Sequence, residues 1–421
     1  MRKMKDSGIQ SFGMIPMNWF VQKLKLLLSL RSEKNSGDRK LLSVYLDKGV
    51  IFYADSTGMQ VHKPSDDLSN YQNVYPGDFV LNNQQAWRGS VGISKYDGII
   101  SPAYLVYSMN ESCDSEYMNF VLRDGSMVQQ YETASRGVGT IQRNIFAPWL
   151  LQCLIALPPL LEQRRIATFL NAKCAEIDAL SADIQSEIET LESYKRSKVF
   201  EAIAHGVDHA DFQETDSDVW RTIPVEWKLV DIKYLFEIVK RIAGKEGYNI
   251  LAITQQGLKV KDISSNEGQI ASDYSGYQFV YPGDFAMNHM DLLTGWVDLS
   301  DKFGVTSPDY RVFRLRDAAR FDRKFYKYVM QCCYMCRIFY SLGQGVSNLG
   351  RWRLQTSAFN NFKIPVPPYE EQVELGNYLD DIIGEIDDII TQKQEQLAVL
   401  ADYKKSVIYE YVTGKKEAPA I

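Results

Sequence analysis

Four histidines, His62, His205, His209 and His289, occur in 421 residues, so imidazole chemistry has few places to sit. His205 and His209 are four apart, the spacing that puts two zinc ligands on one helix face. They flank Gly206 where a long helical pattern stops, and a solvated helix end explains them without a metal. Cys332, Cys333 and Cys336 contain a C-x-x-C, which binds zinc when a second ligand pair follows. None follows, and "FYKYVMQCCYMCRIFY" reads as a packed helix with buried thiols. The predicted metal complement is none.

The remaining reactive-looking stretches dissolve in the same way. "GQGVSNLG" (343–350) is Gly-rich, but no Lys-Ser/Thr follows to complete a phosphate loop. "VPPY" (366–369) is similar to the Asn/Asp-Pro-Pro-Tyr of adenine methyltransferases. Val366 replaces the polar residue there, and no glycine fingerprint for a methyl donor accompanies it. Glu226-Trp227-Lys228 matches a nuclease-like Glu-x-Lys, yet its counterpart earlier in the chain is Asn18-Trp19-Phe20, which favours a structural Trp in both places. No catalytic residue is assigned, and binding becomes the working hypothesis.

What must position any binding residues is a duplicated chain. "VYPGDF" stands at 74–79 and again at 280–285. "IPMNW" (15–19) is answered by "IPVEW" (223–227), "ISPAY" (100–104) by "TSPDY" (306–310), "LPPLLEQ" (157–163) by "VPPYEEQ" (366–372), and "ESYKRS" (192–197) by "ADYKKS" (401–406). Offsets of 206 to 209 residues keep their order, so the chain is two copies of one unit. A Pro-Gly-Asp turn before an apolar run is ordinary chemistry for starting a strand.

Each copy contains two kinds of segment. Residues 160–204 and 369–413 hold no Pro and only two Gly, Gly376 and Gly384, and carry apolar residues at helical spacing. Ile177, Leu180, Ile184, Ile188, Leu191 and Tyr194 form one stripe. Ile386, Ile389, Leu397, Leu400, Tyr403 and Val407 form the other. Either helix can pack on its own domain, or the two can pair as a coiled coil. At 1.5 Å per residue, about 45 residues span roughly 65 Å, longer than a small domain is wide, which favours the pair. Segments 1–155 and 210–365 instead carry short β-rich runs such as "KLLSVYL", "DFVLN" and "YRVFRL", with helical stretches near 115–131 and 322–341. These read as mixed α+β lobes. The boundaries so drawn are 1–155, 156–209, 210–365 and 366–421.

Composition is that of a folded globular chain, 45% hydrophobic and 24% charged. No apolar run is long enough for a membrane span, and the basic start lacks a signal-peptide core, so the expected location is cytoplasmic, with no membrane partner. The net charge of −6 hides an uneven distribution: +2 over 1–155, −3 over 156–209, +2 over 210–365 and −7 over 366–421. The acid lies in the helical segments, and the lobes are mildly basic, which permits a local nucleic-acid surface.

The stretches "DSGIQSFGMIPMNW", "YPGDFVLN" with "AWRGSVGISKYDGIISPAY", "LPPLLEQRRIATFL" and "YKRS" together resemble the DNA-specificity subunit of type I restriction–modification systems. The resemblance spans nearly the whole chain. The second half departs from it where Gln372 is followed by Val373 and Glu374 rather than Arg-Arg. It implies two α+β target recognition domains, each reading half of a bipartite site in double-stranded DNA. The two long helices would form an antiparallel coiled coil that spaces them. It also implies docking of two methyltransferase (modification) subunits and of motor–nuclease (restriction) subunits. The chain itself would be non-catalytic and hold no cofactor, with S-adenosylmethionine, ATP and Mg bound by the partners. The alternatives are a coiled-coil adaptor without DNA binding and a single-chain DNA methyltransferase.

Base edges are read by Arg, Lys, Asn, Gln, Ser and Thr, and phosphates mostly by Arg and Lys. Candidate DNA-binding residues in the first lobe are Trp87, Arg88, Ser90, Lys95, Arg136, Gln142 and Arg143. In the second they are His289, Thr294, Trp296, Gln344, Asn348, Arg351 and Arg353. Equivalent loops with different letters suggest that the lobes read different sequences.

Overall fold

A computed structural model describes residues 2–35, 37–56, 64–138, 142–262, 273–344 and 352–419. The chain forms two compact units, Met1–Ile184 with Glu395–Ile421, and Gln185–Gln394. This division differs from boundaries drawn at the ends of the long helices. Each α+β lobe takes half of both helices into its own core, because a helix with one apolar stripe cannot bury that stripe alone.

The first unit is built on a four-stranded antiparallel sheet in the order Leu28–Leu30, Tyr104–Met109, Phe79–Asn82, Val91–Ile93. Strand alternation sends Phe79, Leu81 and Tyr107 to one face, where they pack with Tyr117, Val121 and Leu122 of the helix Ser115–Arg123. Val80 and Val106 go to the other face, onto Leu42, Val44 and Val50 of the hairpin Leu42–Tyr45/Gly49–Phe52. Both faces are covered, so the strands read as unbroken apolar runs. The long helices join the larger core through Ile166, Leu170, Val407 and Val412.

The second unit repeats the plan with Phe236–Val239, Arg311–Leu315, Phe285–Met287 and Val297–Leu299 in the same order. Phe285 and Phe313 pair as Phe79 and Tyr107 do. They pack on the helix Arg323–Met335, while Ala286 and Val312 form the opposite face.

The repeated hexapeptide has one job in both units. Asp78 and Asp284 are buried, and each carboxylate accepts the backbone N–H of Tyr75 or Tyr281, closing the turn. Each also pairs with an arginine, Arg31 to Asp78 at 2.8 Å and Arg241 to Asp284, and those guanidiniums lie over the rings of Tyr75 and Tyr281. Gly77 and Gly283 take φ of +93° and +90°, a conformation that favours glycine. Val74 and Val280 pair with Gly98 and Gly304, where an added Cβ would lie 2.6 Å from a backbone oxygen.

The long helices run Leu160–His205 and Tyr369–Val412. Their shared Glu-Gln anchors each start. Glu162 accepts from Trp19 Nε1 at 3.1 Å and Glu371 from Trp227 Nε1 at 2.9 Å, so both tryptophans are structural. Gln163 and Gln372, both buried, accept from the backbone N–H of Asp114 and Asp322 and donate back to Pro158 and Pro367. The helices stop at Gly206 and Gly414, both left-handed, and a Cβ on Gly414 would strike Pro16 at 2.3 Å. His205 bonds Thr222, and His209 pairs with Glu371 beside Trp227. Cys332 and Cys333 are fully buried in their helix. No cluster of three or more metal-ligating side chains occurs among the described residues. Among the same residues no helix is long and apolar enough to cross a membrane.

Within each unit the two helices pack antiparallel. Phe169 meets Tyr411 and Asp178 meets Lys404 in the first; Glu187 meets Lys393 and Asp387 meets Lys195 in the second. The predicted stripe needs correction at four positions. Ile177, Ile184, Ile188, Ile386 and Val407 are buried, and Leu191, Leu397 and Leu400 are half-buried. Leu180, Tyr194, Ile389 and Tyr403 are 43–49% exposed. Strict alternation of three and four places Ser181, Lys195, Ile390 and Lys404 in the seam instead, and each of the four is the next residue in the chain.

Candidate functional site

In the first unit, two stretches far apart in sequence meet. The turn Ala86–Arg88 follows the strand Phe79–Asn82, and the hairpin Ser135–Val138/Gln142–Ile145 comes back to it. The join is a backbone bond from Ile145 N–H to Asn83 O at 3.0 Å. Trp87, half-buried, then has Arg88 at 4.6 Å and Arg143 at 5.3 Å from its ring, and its own Nε1–H donates to Gln84 O. Arg143 also pairs with Glu132 at 2.9 Å. Arg136, exposed, lies 3.6 Å from the ring centre of Phe146 and 4.3 Å from that of Trp149.

The second unit makes the same join with different letters. Leu354 N–H donates to His289 O at 3.0 Å, and Leu292 N–H to Trp352 O at 3.1 Å, so the loop 288–296 meets the chain at 352–354. Gln344 and Arg353, both exposed, exchange backbone bonds across a β-bridge. Thr294 is exposed and donates to Asp291, while Trp296 is half-buried against Tyr334.

These placements sort the candidates. Trp87, Arg88 and Arg143 come together in the first unit, Arg136 stands apart from them over Phe146 and Trp149, and Thr294, Gln344 and Arg353 are exposed on the second. Lys95 is exposed on the turn after Ser94. Ser90 is buried and spends its hydroxyl on Val44 O at 3.2 Å. His289 is buried too, and burial, then the charges of Arg311 and Arg353, push its pKa down to about 3. Gln142 contributes a strand position opposite Val138. Asn348 and Arg351 lie outside the described residues.

Sequence reasoning missed the residues that orient these groups. Phe146 and Trp149 brace Arg136, Glu132 holds Arg143, and buried Arg311 bonds Leu354 O beneath the second loop cluster. The signal for the first pair was "FAPW", directly after the hairpin.

Residues 224–399 match the family model described as the type I restriction modification DNA specificity domain. The type I restriction enzyme MjaVIII specificity subunit of Methanocaldococcus jannaschii is 23% identical over 81% of this chain and 80% of its own length. The putative MjaX specificity subunit of the same organism is 24% identical over 96% of this chain and 95% of its own. Among solved structures, a chain from work on complex assembly and conformational transition of the type I R-M system superposes with a TM-score of 0.67. It shares 18% identity and covers 96% of this chain and 99% of its own.

Proposed function

We propose that the chain is a specificity subunit of a type I restriction–modification system and that each of its lobes reads one half of a bipartite DNA target, as its similarity to such subunits supports. One observation carries the reading. The same framework appears twice, with the same strand order and the same backbone joins, yet the exposed letters at those joins differ. A duplicated scaffold whose exposed side chains differ at equivalent joins is what two independent readers of two sequences require.

The subunit performs no catalysis in this reading. Methyltransferase subunits dock on it and bind S-adenosylmethionine, and motor–nuclease subunits bring ATP and Mg. The paired helices set the spacing between half-sites. Exchanging residues 81–97 and 135–144 for those of a relative with another target tests the core claim. Mapping of methylated bases should show one half of the motif changed and the other half and the spacer kept. A change in both halves, or in neither, refutes the two-reader account. Methyl transfer by the purified chain alone would instead favour a self-sufficient methyltransferase. Absence of salt-dependent DNA binding by the assembled complex would leave only an adaptor.

A further inference from the structure

Arg136 differs from the other arginines that the first unit holds in place. Arg31 spends its guanidinium on Asp78, Arg123 on the carbonyls of Leu46 and Asp47, and Arg143 on Glu132. Arg136 has no carboxylate or carbonyl acceptor among the described residues, yet it is not loose. Its guanidinium carbon sits 3.6 Å from the Phe146 ring centre and 4.3 Å from that of Trp149. The two rings stand at 81° to each other with centres 5.2 Å apart, a T-shaped pair. Backbone bonds hold the chain that carries both rings: Phe146 N–H donates to Ala134 O at 2.9 Å and Trp149 N–H to Phe146 O at 2.8 Å.

A guanidinium stacked on rings keeps its charge and its planar fork of donors while losing rotational freedom. A phosphate asks for charge and little orientation. The O6/N7 edge of guanine asks for two parallel N–H donors in one fixed plane. A cradle that fixes the plane while leaving the donors unspent matches the second demand. Gly137, the next residue, has no side chain to hold a groove off.

Among the described residues the second lobe shows no such cradle. Counting on 209 residues, the offset that carries Leu157 to Val366, the counterparts of Phe146 and Trp149 are Gln355 and Ala358. Across the β-bridge, Gln344 faces Arg353 where Arg136 faces Asn144.

Resting on the DNA-reading function proposed above, we infer that Arg136, oriented by Phe146 and Trp149, reads a guanine of the first lobe's half-site. It does so by a bidentate bond to O6 and N7, and the described residues of the second lobe show no counterpart. Phe146 and Trp149 are positioning residues, since they act through Arg136.

The test uses the specificity subunit assembled with its methyltransferase subunits, after mapping the wild-type methylated motif. Affinity is measured on duplexes carrying each single base-pair replacement. Arg136→Ala and Arg136→Lys should both lose discrimination at one G·C pair of one half-site, by roughly 5- to 150-fold. Every other position should keep its preference, which also certifies that the variant is folded. Trp149→Ala with Phe146→Ala should lose much of the same discrimination, and Trp149→Phe with Phe146→Tyr, which keep both rings, should restore it. Three results overturn the inference: no guanine in the first half-site, unchanged discrimination in Arg136→Lys, or a uniform loss with a salt slope shallower by about one, the mark of a phosphate contact. A wild-type complex that binds no bipartite sequence would remove the function proposed above along with it.

Discussion

Asp78 does two things from a buried position: it closes the turn through Tyr75 N–H and it neutralises Arg31. Asp78→Ala leaves that arginine facing a hole, and the cost should be about 2–4 kcal/mol, read by denaturant unfolding. Asp284→Ala should cost about as much, and a loss under about 0.5 kcal/mol in either would show that the ion pair contributes nothing. The repeated hexapeptide was legible as a strand-starting turn, but its arginine partners were not. They stand 47 and 43 residues upstream in unlike surroundings, and only the folded sheet brings them over the carboxylate. His289 gives a second expectation. Burial and the nearby Arg311 and Arg353 charges hold its pKa at about 3 against an ordinary 6.5, so the folded lobe keeps it neutral. The unfolded chain takes up a proton below about 6.5, so stability is complete above that pH and falls as the pH drops toward 3. At pH 5 the loss is roughly 2 kcal/mol. His289→Asn installs the residue that the first lobe uses at the equivalent position, Asn83, and keeps the carbonyl that accepts from Leu354. Its unfolding free energy should vary less between pH 7 and 5 than the wild type's, and equal slopes would refute the assignment.

The long helices were the most legible elements, because forty-odd residues without Pro and with three-four spacing leave no other reading. Their seam was less legible. Ser181, Lys195 and Lys404 occupy seam positions as polar residues, so a stripe drawn through apolar letters slid one residue back to Leu180, Tyr194 and Tyr403. The lysines fit because their methylene stems pack while the ammonium reaches an acid on the facing helix, Lys404 to Asp178 at 2.6 Å in the first unit. The difference is measurable. Ile177→Ala should destabilise the first unit by about 2–4 kcal/mol, and Leu180→Ala by less than about 1 kcal/mol. Similar losses for both in thermal or denaturant unfolding would put Leu180 back in the seam. The candidate DNA surface was legible as loops and not as a cluster. Nothing in the spacing of 81–97 and 135–145 says that Ile145 bonds Asn83, or that "FAPW" supplies rings for Arg136.

At the scale of the whole chain, the division into units falls inside the helices, between Ile184 and Gln185 and between Gln394 and Glu395. Each lobe is therefore tied by its own core to its own half of each helix, through Ile166, Leu170 and Val407 in one unit and Val199, Ile203, Leu375 and Leu379 in the other. Lengthening the helices near those divisions should leave both lobes folded and both half-sites unchanged, since no lobe contact is touched. Adding seven residues to each helix preserves the three-four phase of the seam, which a four-residue insertion in one helix would break. Seven residues lengthen the pair by about 10 Å. At about 3.4 Å per base pair, the spacer of the methylated motif should grow by at most about three base pairs. The growth is smaller if the helix axis is inclined to the duplex, since only its projection counts. Mapping the methylated motif of cells carrying the double insertion reads this directly. A longer spacer between two unaltered half-sites is the expected result. An unchanged spacer with full methylation would mean that something other than these helices sets the distance, and altered half-sites would mean that the lobes do not read independently.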